Sequence, residues 1–592
     1  MTLFSFKAQK KLVEETLVFT PELFQRVITA VLCSFNPSTS NNEKHYALTY
    51  LEDLKENHPL ICLTIAFELL KQQQEFSNQS YLHHYVIHLI ESIIKHKWTL
   101  LKSDEKNLVK EQLFLLIKSS CLNQTFMDPI YIRNALARCI IEIIKRDCFD
   151  KTNTALEEII SMTQTMGQIQ ETNCLQLELV LLVYRFLNEE LTIYSQSIQI
   201  HRRRQLLNQL QKRLTDILPC LIRISNDLVN FIEQYERLTQ TCLLAVNSFL
   251  QWVEYNHFEQ YELFLCELFL KFFQSNSVKL RHASFECLLS LVNKRLARKQ
   301  LQQQQQQRNK RIALSPSAAL NCQQEKFFLN CFLSDNTLEI FLRLLLTPTD
   351  SIEQLRTIVT NDHINCLKML GQLLVKLANY LLHLFQQLAT KSIDDDQFLS
   401  FVNERTRSFL RFLLLLNQHP FHLLSLNSYQ ALNAFICRQP TLLSNEQFCL
   451  QLVENLKQSL HRVHFSTSNE NLTEIDNDIL KKQYQHNQQC YVYALYEYDS
   501  EEQFFWKFFS QYRTELQKVI KSFIGMFFPD ENVLVETNMS CLKSILQHLL
   551  VFLETLVQRT PNQTDHSLAS NYLIIEWEAF FLLLDHVLFV VR

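Results

Sequence analysis

Apolar residues recur along the chain with the period of an α-helix. From Leu82 onward, Leu82, Tyr85, Val86, Leu89, Ile90, Ile93 and Ile94 fall at i, i+3, i+4, i+7, i+8, i+11 and i+12, which lays one continuous apolar stripe on a helix. The same spacing returns in Ala137, Ile140, Ile141 and Ile144, and in Phe409, Phe412, Leu413 and Leu416. Strand-like alternation bounded by turn glycines is absent. Short breaks with helix-start chemistry separate the periodic segments: Thr20-Pro21-Glu22, Ser103-Asp104-Glu105, Met127-Asp128-Pro129 and Ser444-Asn445-Glu446. In each, a Ser, Thr, Asp or Asn oxygen is placed to accept from an orphan backbone N–H, with proline or an acid just inside the first turn.

Helix pairs joined by short loops bury only part of their apolar faces alone, so they stack on one another. The predicted fold is therefore all-α, a HEAT-type α-solenoid of antiparallel helix pairs. The 592 residues exceed what one core serves, roughly 250–300 residues, and at ~40–47 residues per unit they would make about a dozen units. No crisp consensus repeats along the chain.

Composition removes most alternatives. Only Gly167, Gly371 and Gly525 occur, where average usage would give about 41 glycines. Dinucleotide fingerprints, Walker A loops, nucleophile elbows and tight hairpins all need glycine for positive φ or close backbone approach, and none can be written here. The charge is nearly balanced, with 57 Lys+Arg against 61 Asp+Glu. Seventeen cysteines are scattered without a C-x-x-C pair, and the first stretch is interrupted by Lys7, Lys10, Lys11, Glu14 and Glu15. They read as reduced core residues of a cytosolic or nuclear protein. The most membrane-like stretch, Tyr572 to Val591, carries Glu576, Glu578, Asp585 and His586, charges too costly for a span of ~20 residues.

Three local features carry possible chemistry. His84 and His88 stand at i, i+4, but no Glu follows His84 and no third ligand is evident, so no metal is assigned. Lys294-Arg295 and Arg298-Lys299 lead into Gln302 to Gln307 and then Arg308, Lys310 and Arg311; this reads as a flexible basic insertion over 294–325. Its functional alternatives are phosphate binding and a nuclear-import signal. A second polar break, Ser466 to Gln488, reads as a loop. Finally, His201-Arg202-Arg203-Arg204 sets three guanidiniums in succession, which suits phosphate or carboxylate partners, or simply a solvated helix start.

Several segments bear a family resemblance. Tyr85 to Lys110 resembles the N-terminal region of the importin-β-like transport receptors, the karyopherins, with Trp98, Glu105 and Lys106 carrying the match. Arg133 to Arg146, read as R-x-x-L-x-x-x-I-x-E-x-I-K-R, resembles an exportin helix, although Asp147-Cys148-Phe149-Asp150 stands where exportins carry W-P-x-x-W. The run at Arg202 to Arg204, Ala245-Val246-Asn247-Ser248 with Trp252-Val253, Tyr498 to Phe504 with Phe508, Phe509 and Arg513, and Glu576-Trp577-Glu578-Ala579 are similar to elements of the exportin-5 family. That family is considerably longer, and the similarity ends in mid-solenoid, so the chain is expected to be an N-terminal portion.

The resemblance implies a division into importin-β-like repeats over 1–120, exportin-like repeats over 121–293, the basic insertion over 294–325 and further repeats over 326–592. It implies a nuclear export receptor, not an enzyme: no catalytic residue, no metal and no cofactor. Its partners would be Ran-GTP, a double-stranded hairpin RNA cargo such as precursor microRNA, and phenylalanine-glycine nucleoporins. It would shuttle between nucleus and cytoplasm as a monomer within a ternary complex, without membrane insertion. By position in the family, Lys95, Lys97, Arg133, Arg138, Lys145 and Arg146 would neighbour Ran, and Arg202, Arg203 and Arg204 would meet RNA phosphates. A karyopherin for protein or transfer RNA cargo, and a helical scaffold without transport activity, stay open.

Overall fold

The computed structural model describes residues 19–71, 80–118, 130–147, 154–166, 169, 173–192, 200–308, 322–345, 359–390, 396–443, 445–461, 512, 514–523, 547 and 550–551. Every regular element among them is helical. Two compact units divide the chain between His257 and Phe258.

The first unit holds α1 (Pro21–Phe35), α2 (Asn41–Asn57), α3 (Pro59–Lys71), α4 (Ser80–His96), α5 (Ser103–Lys118), α6 (Ile130–Asp147), α7 (Thr154–Thr165), α8 (Cys174–Thr192), α9 (Ile200–Lys212), α10 (Leu214–Val229) and α11 (Glu236–Trp252). Local chemistry sets the helix starts. The Thr20 hydroxyl accepts from the Leu23 N–H at 3.2 Å with Pro21 at the first position, and Ser40 and Glu43 form a capping box on α2. Pro59 then forces a break and opens α3.

Packing follows two rows. Helices α1, α4, α6, α8 and α11 lie side by side in one row, while α3, α5, α7 and α10 form the other, and each sequential pair packs across the rows. A row helix with neighbours on both sides must be apolar nearly all round. Accordingly α8 buries Leu177, Leu179, Val180, Leu181, Val183, Tyr184 and Leu187, and α6 buries its predicted stripe of Ala137, Ile140, Ile141 and Ile144. Trp98 is also core. The polar groups carried inward are paired: Asn188 donates to Ser248 Oγ at 3.0 Å and accepts from Trp252 Nε1 at 2.9 Å, which ties α8 to α11.

The second unit repeats the plan with α12 (Glu262–Phe273), α13 (Val278–Arg308), α14 (Cys322–Leu333), α15 (Asp335–Leu345), α16 (Asn361–Thr390), α17 (Asp396–Asn417), α18 (His422–Arg438) and α19 (Glu446–His461). Here α13, α16 and α18 form one row, and α12, α14, α17 and α19 the other. Asn445 caps α19, as its sequence position predicts, by accepting from Gln447 N–H at 2.9 Å. Each unit is thus a stack of helix pairs, the HEAT-type arrangement. Bridges between successive pairs join side chains 40 to 45 positions apart: Lys97 with Glu56, Lys118 with Glu158, Lys110 with Thr154, and Lys145 with Glu190. That separation is the repeat length.

The basic, glutamine-rich segment departs from expectation. Helix α13 runs without a break from Val278 to Arg308, through the expected boundary at 293 and through Gln302 to Gln307. Glutamine is a good helix former, so the tract extends the helix rather than interrupting it. The basic residues before it are not a solvated patch. Arg295 and Lys299, one turn apart on α13, are both buried and pair with Glu262 of α12 and Glu325 of α14. Residues 309–321, the 466–488 loop, and the similarities at 498–513 and 576–579, apart from Tyr512, lie outside the described residues. Among the described residues no helix is long and apolar enough to cross a membrane.

Gly371 lets α16 approach α18. A Cβ built there would run into Asn427 Nδ2 and lie 3.0 Å from its Cγ. Gly371→Ala is therefore expected to destabilise by about 1–3 kcal/mol through overpacking, less the ~1 kcal/mol that alanine gains in helix propensity. Thermal unfolding of Gly371→Ala with and without Asn427→Ala measures this; the double variant should recover most of the loss.

Candidate functional site

Helices α4, α6 and α8 end beside one another, and five of the six predicted Ran-facing cations lie on α4 and α6. Arg138, Glu142 and Lys145 fall at i, i+4 and i+7 and so share one face of α6. Lys95 of α4 pairs with Glu91 at 2.7 Å. Lys145 bridges Glu142 at 2.5 Å and Glu190 of α8 at 2.6 Å. Arg146 donates to the Glu142 side chain and, through its other Nη, to the Lys95 carbonyl at 2.5 Å. A basic group near a helix C-terminus also meets the negative end of the dipole. The result is one chain of charge pairs that stitches three successive row helices.

The electrostatics follow from that stitching. Burial pushes the Glu142 carboxyl up, but Lys145 and Arg146 outweigh it and hold it below the usual carboxylate range. Burial pushes Lys95 down, and Glu91, with Glu142 and Glu190 beyond it, more than restores it, leaving the ammonium above its ordinary value. Both groups are therefore charged across the neutral range. Along this edge five cations (Lys95, Arg138, Lys145, Arg146, Arg185) stand among the partly exposed Glu189 and Glu190 and the buried Glu91 and Glu142.

The six predicted residues divide into three kinds. Lys95 and Arg138 are exposed. Lys145 and Arg146 are only 15% and 17% exposed and committed to internal pairs, and Lys97 reaches Glu56 of α2. Arg133 is a correction: it is fully buried, with Nε 3.5 Å from Glu178 Oε1, because its position on α6 points at α8. It belongs to the core and not to a docking surface. Phe186 was not legible in the sequence; it lies under both Arg138 and Arg185, with guanidinium carbons 5.8 and 5.5 Å from its ring centre.

The arginine run does not form one patch. Successive residues on α9 are rotated about 100° apart, so the three guanidiniums diverge. Arg203 donates to the Leu191 carbonyl at the end of α8, at 2.7 Å, and acts as a helix C-cap. Arg204 is exposed and lines a groove of about 330 Å³ with Asn208, Gln211, Trp252 and His257. Arg202 is half-buried. The rings of His84 and His88 lie 4.3 Å apart between centres, tilted by 59°, and His88 Nδ1 lies 3.3 Å from Glu91. Among the described residues no group of three His, Cys, Asp or Glu is placed to hold a metal. Burial pushes the thiols of Cys62, Cys242, Cys331 and Cys366 up to about 12, so they are packing groups.

Residues 129–288 match the family model described as exportin 1-like protein. Exportin-5 of Mus musculus and of Homo sapiens are each 24% identical over 286 residues, covering 46% of this chain and 22% of theirs. The chain thus carries an exportin 1-like region and is similar in part to exportin-5. Protein HASTY 1 of Arabidopsis thaliana is 24% identical over 239 residues, 38% of this chain and 19% of its own. The match thus spans about a fifth of the length of these relatives. The exportin-matched region opens one residue before α6 and closes within α13, so it includes α6 and α8 of the charged surface. Among solved structures, yeast importin-β (Kap95p) is 12% identical over 96% of this chain and 68% of that one, with a TM-score of 0.38.

Proposed function

We propose that this exportin-like chain is a nuclear export receptor that binds Ran-GTP through the exposed edge of α4, α6 and α8 and carries structured small RNA, of the precursor microRNA kind, through the nuclear pore. Cargo leaves when Ran hydrolyses GTP; the receptor performs no covalent chemistry. It shuttles between nucleus and cytoplasm and meets phenylalanine-glycine nucleoporins on the way.

The observation that carries this reading is the mixed-charge surface within the exportin-matched repeats. Interspersed cations and carboxylates suit a folded protein partner, because complementary charges steer encounter and fix register. A polyphosphate backbone would meet Glu189 and Glu190 on the same surface, with Glu91 and Glu142 buried beneath it. For the RNA, Arg204 is the member of the arginine run that faces an open groove.

Coupling is the mechanism. If Ran-GTP and RNA favour the same spacing of stacked helices, each raises the affinity of the other equally, by about 1–3 kcal/mol in typical cases. The test is a titration of the full chain with Ran carrying a non-hydrolysable GTP analogue and with Ran-GDP, each with and without a hairpin RNA. Selective GTP-state binding that tightens with RNA is expected. The Lys95→Ala/Arg138→Glu variant should bind Ran-GTP about tenfold more weakly or worse, ~1.4 kcal/mol, with the unfolding midpoint lowered no further than in Lys95→Ala, which loses the pair to Glu91. Equal binding to both nucleotide states would overturn the transport reading.

A further inference from the structure

We propose that Arg138 and Arg185, laid on the ring of Phe186, form a fork that receives a single carboxylate of the protein partner, with Phe186 as its positioning residue. This rests on the reading of the α4–α6–α8 edge as the Ran-GTP surface and specifies the chemistry it recognises there.

The two guanidiniums come from neighbouring row helices, Arg138 from α6 and Arg185 from α8, and share one half-buried aromatic ring. Arg185 is further fixed by a 2.7 Å bond from its Nε to Glu189. A guanidinium held against a ring face gives up rotamer freedom before binding and directs its N–H edge outward, ready for bidentate contact with a carboxylate. An ammonium at the same place supplies charge but not the planar fork. The ring adds an apolar floor, and arginine with an aromatic is the combination that concentrates binding energy at protein interfaces. The occupant is one acidic side chain and not a nucleic acid. Glu189 and Glu190, one turn beyond Arg185 and Phe186, repel a continuous run of phosphates more than one isolated carboxylate, and Glu142, one turn beyond Arg138, is buried.

The experiment measures the affinity of the full chain for Ran loaded with a non-hydrolysable GTP analogue, for wild type, Arg138→Lys, Arg138→Ala, Phe186→Leu, Phe186→Ala and Lys95→Ala, across a salt series. Arg138→Lys should lose nearly as much affinity as Arg138→Ala, about fivefold or more, while keeping the wild-type salt dependence. Phe186→Leu, which keeps apolar bulk, should weaken binding with little change in unfolding midpoint, and in its background Arg and Lys at 138 should bind alike. Wild-type affinity in Arg138→Lys or in Phe186→Ala would overturn the fork. If Lys95→Ala weakens binding while both of those are neutral, the Ran surface stands and the fork alone falls. If none of the variants matters, the placement of Ran on this edge falls with it. A hairpin RNA whose binding requires Arg138, where Ran-GTP binding does not, would also overturn the proposal.

Discussion

Replacing Glu325 by alanine is expected to destabilise the second unit by about 3–5 kcal/mol, the cost of breaking a buried ion pair from one side. Glu325 of α14 sits between Arg295, 3.1 Å from its Oε2, and Lys299, 2.8 Å from its Oε1, both on α13, and it also accepts from the Tyr380 hydroxyl of α16. Arg295 reaches Glu262 of α12 as well and lies 4.2 Å from the centre of the Phe328 ring. Two cations and two carboxylates on three helices, with the Tyr380 hydroxyl from a fourth, are thus balanced in the buried interior. Burial pushes the Glu325 carboxyl up, but Arg295 and Lys299 outweigh it and keep it ionised. Because the folded value lies below the unfolded one, near 4.3, this contribution is present above that pH and is lost as pH falls through the folded value. Urea unfolding at neutral pH checks the size of the loss. Adding Lys299→Met to Glu325→Ala should recover part of it by removing one stranded charge; a fully additive double variant would refute the network.

A loss of similar size, about 3–5 kcal/mol, is expected for Glu178→Ala in the first unit. Glu178 of α8 is 3% exposed and serves two arginines, Arg133 of α6 through Oε1 and Arg237 of α11 through Oε2 at 3.1 Å. Its removal leaves the fully buried Arg133 guanidinium without that counter-charge. The partners are unequal. Arg237, with 46% of its side chain exposed, can turn to water, so Arg237→Ala should cost under about 1 kcal/mol. Unfolding curves of the three single variants settle the order: Glu178→Ala and Arg133→Ala far below Arg237→Ala.

How much was legible follows from where each partner lies. The stripes on α4 and α6 and the caps at Thr20 and Asn445 depend on residues within a turn or two, so their pattern shows in the sequence. Arg133, Arg295 and Lys299 look like surface cations because their counter-charges stand 26 to 45 positions away on other helices. The glutamine tract read as a loop because its composition suggests one, while its helix propensity and the packing of the preceding turns of α13 decide otherwise. The run Arg202 to Arg204 shows what a linear motif hides: three neighbours in sequence take three directions once they sit on a helix. Phe186 gave no signal of its own, since a single aromatic in an apolar helix is ordinary and only the two arginines laid on it mark it out.

The bridges spaced by one repeat bear on how the chain reaches this structure. Many side chains find partners within the adjoining pair, so closing those contacts costs the entropy of a loop about one repeat long. Folding of such a stack can start wherever one pair docks and then grow outward by templated addition, pair upon pair, which also lets the earliest synthesised helices settle while later ones are still on the ribosome.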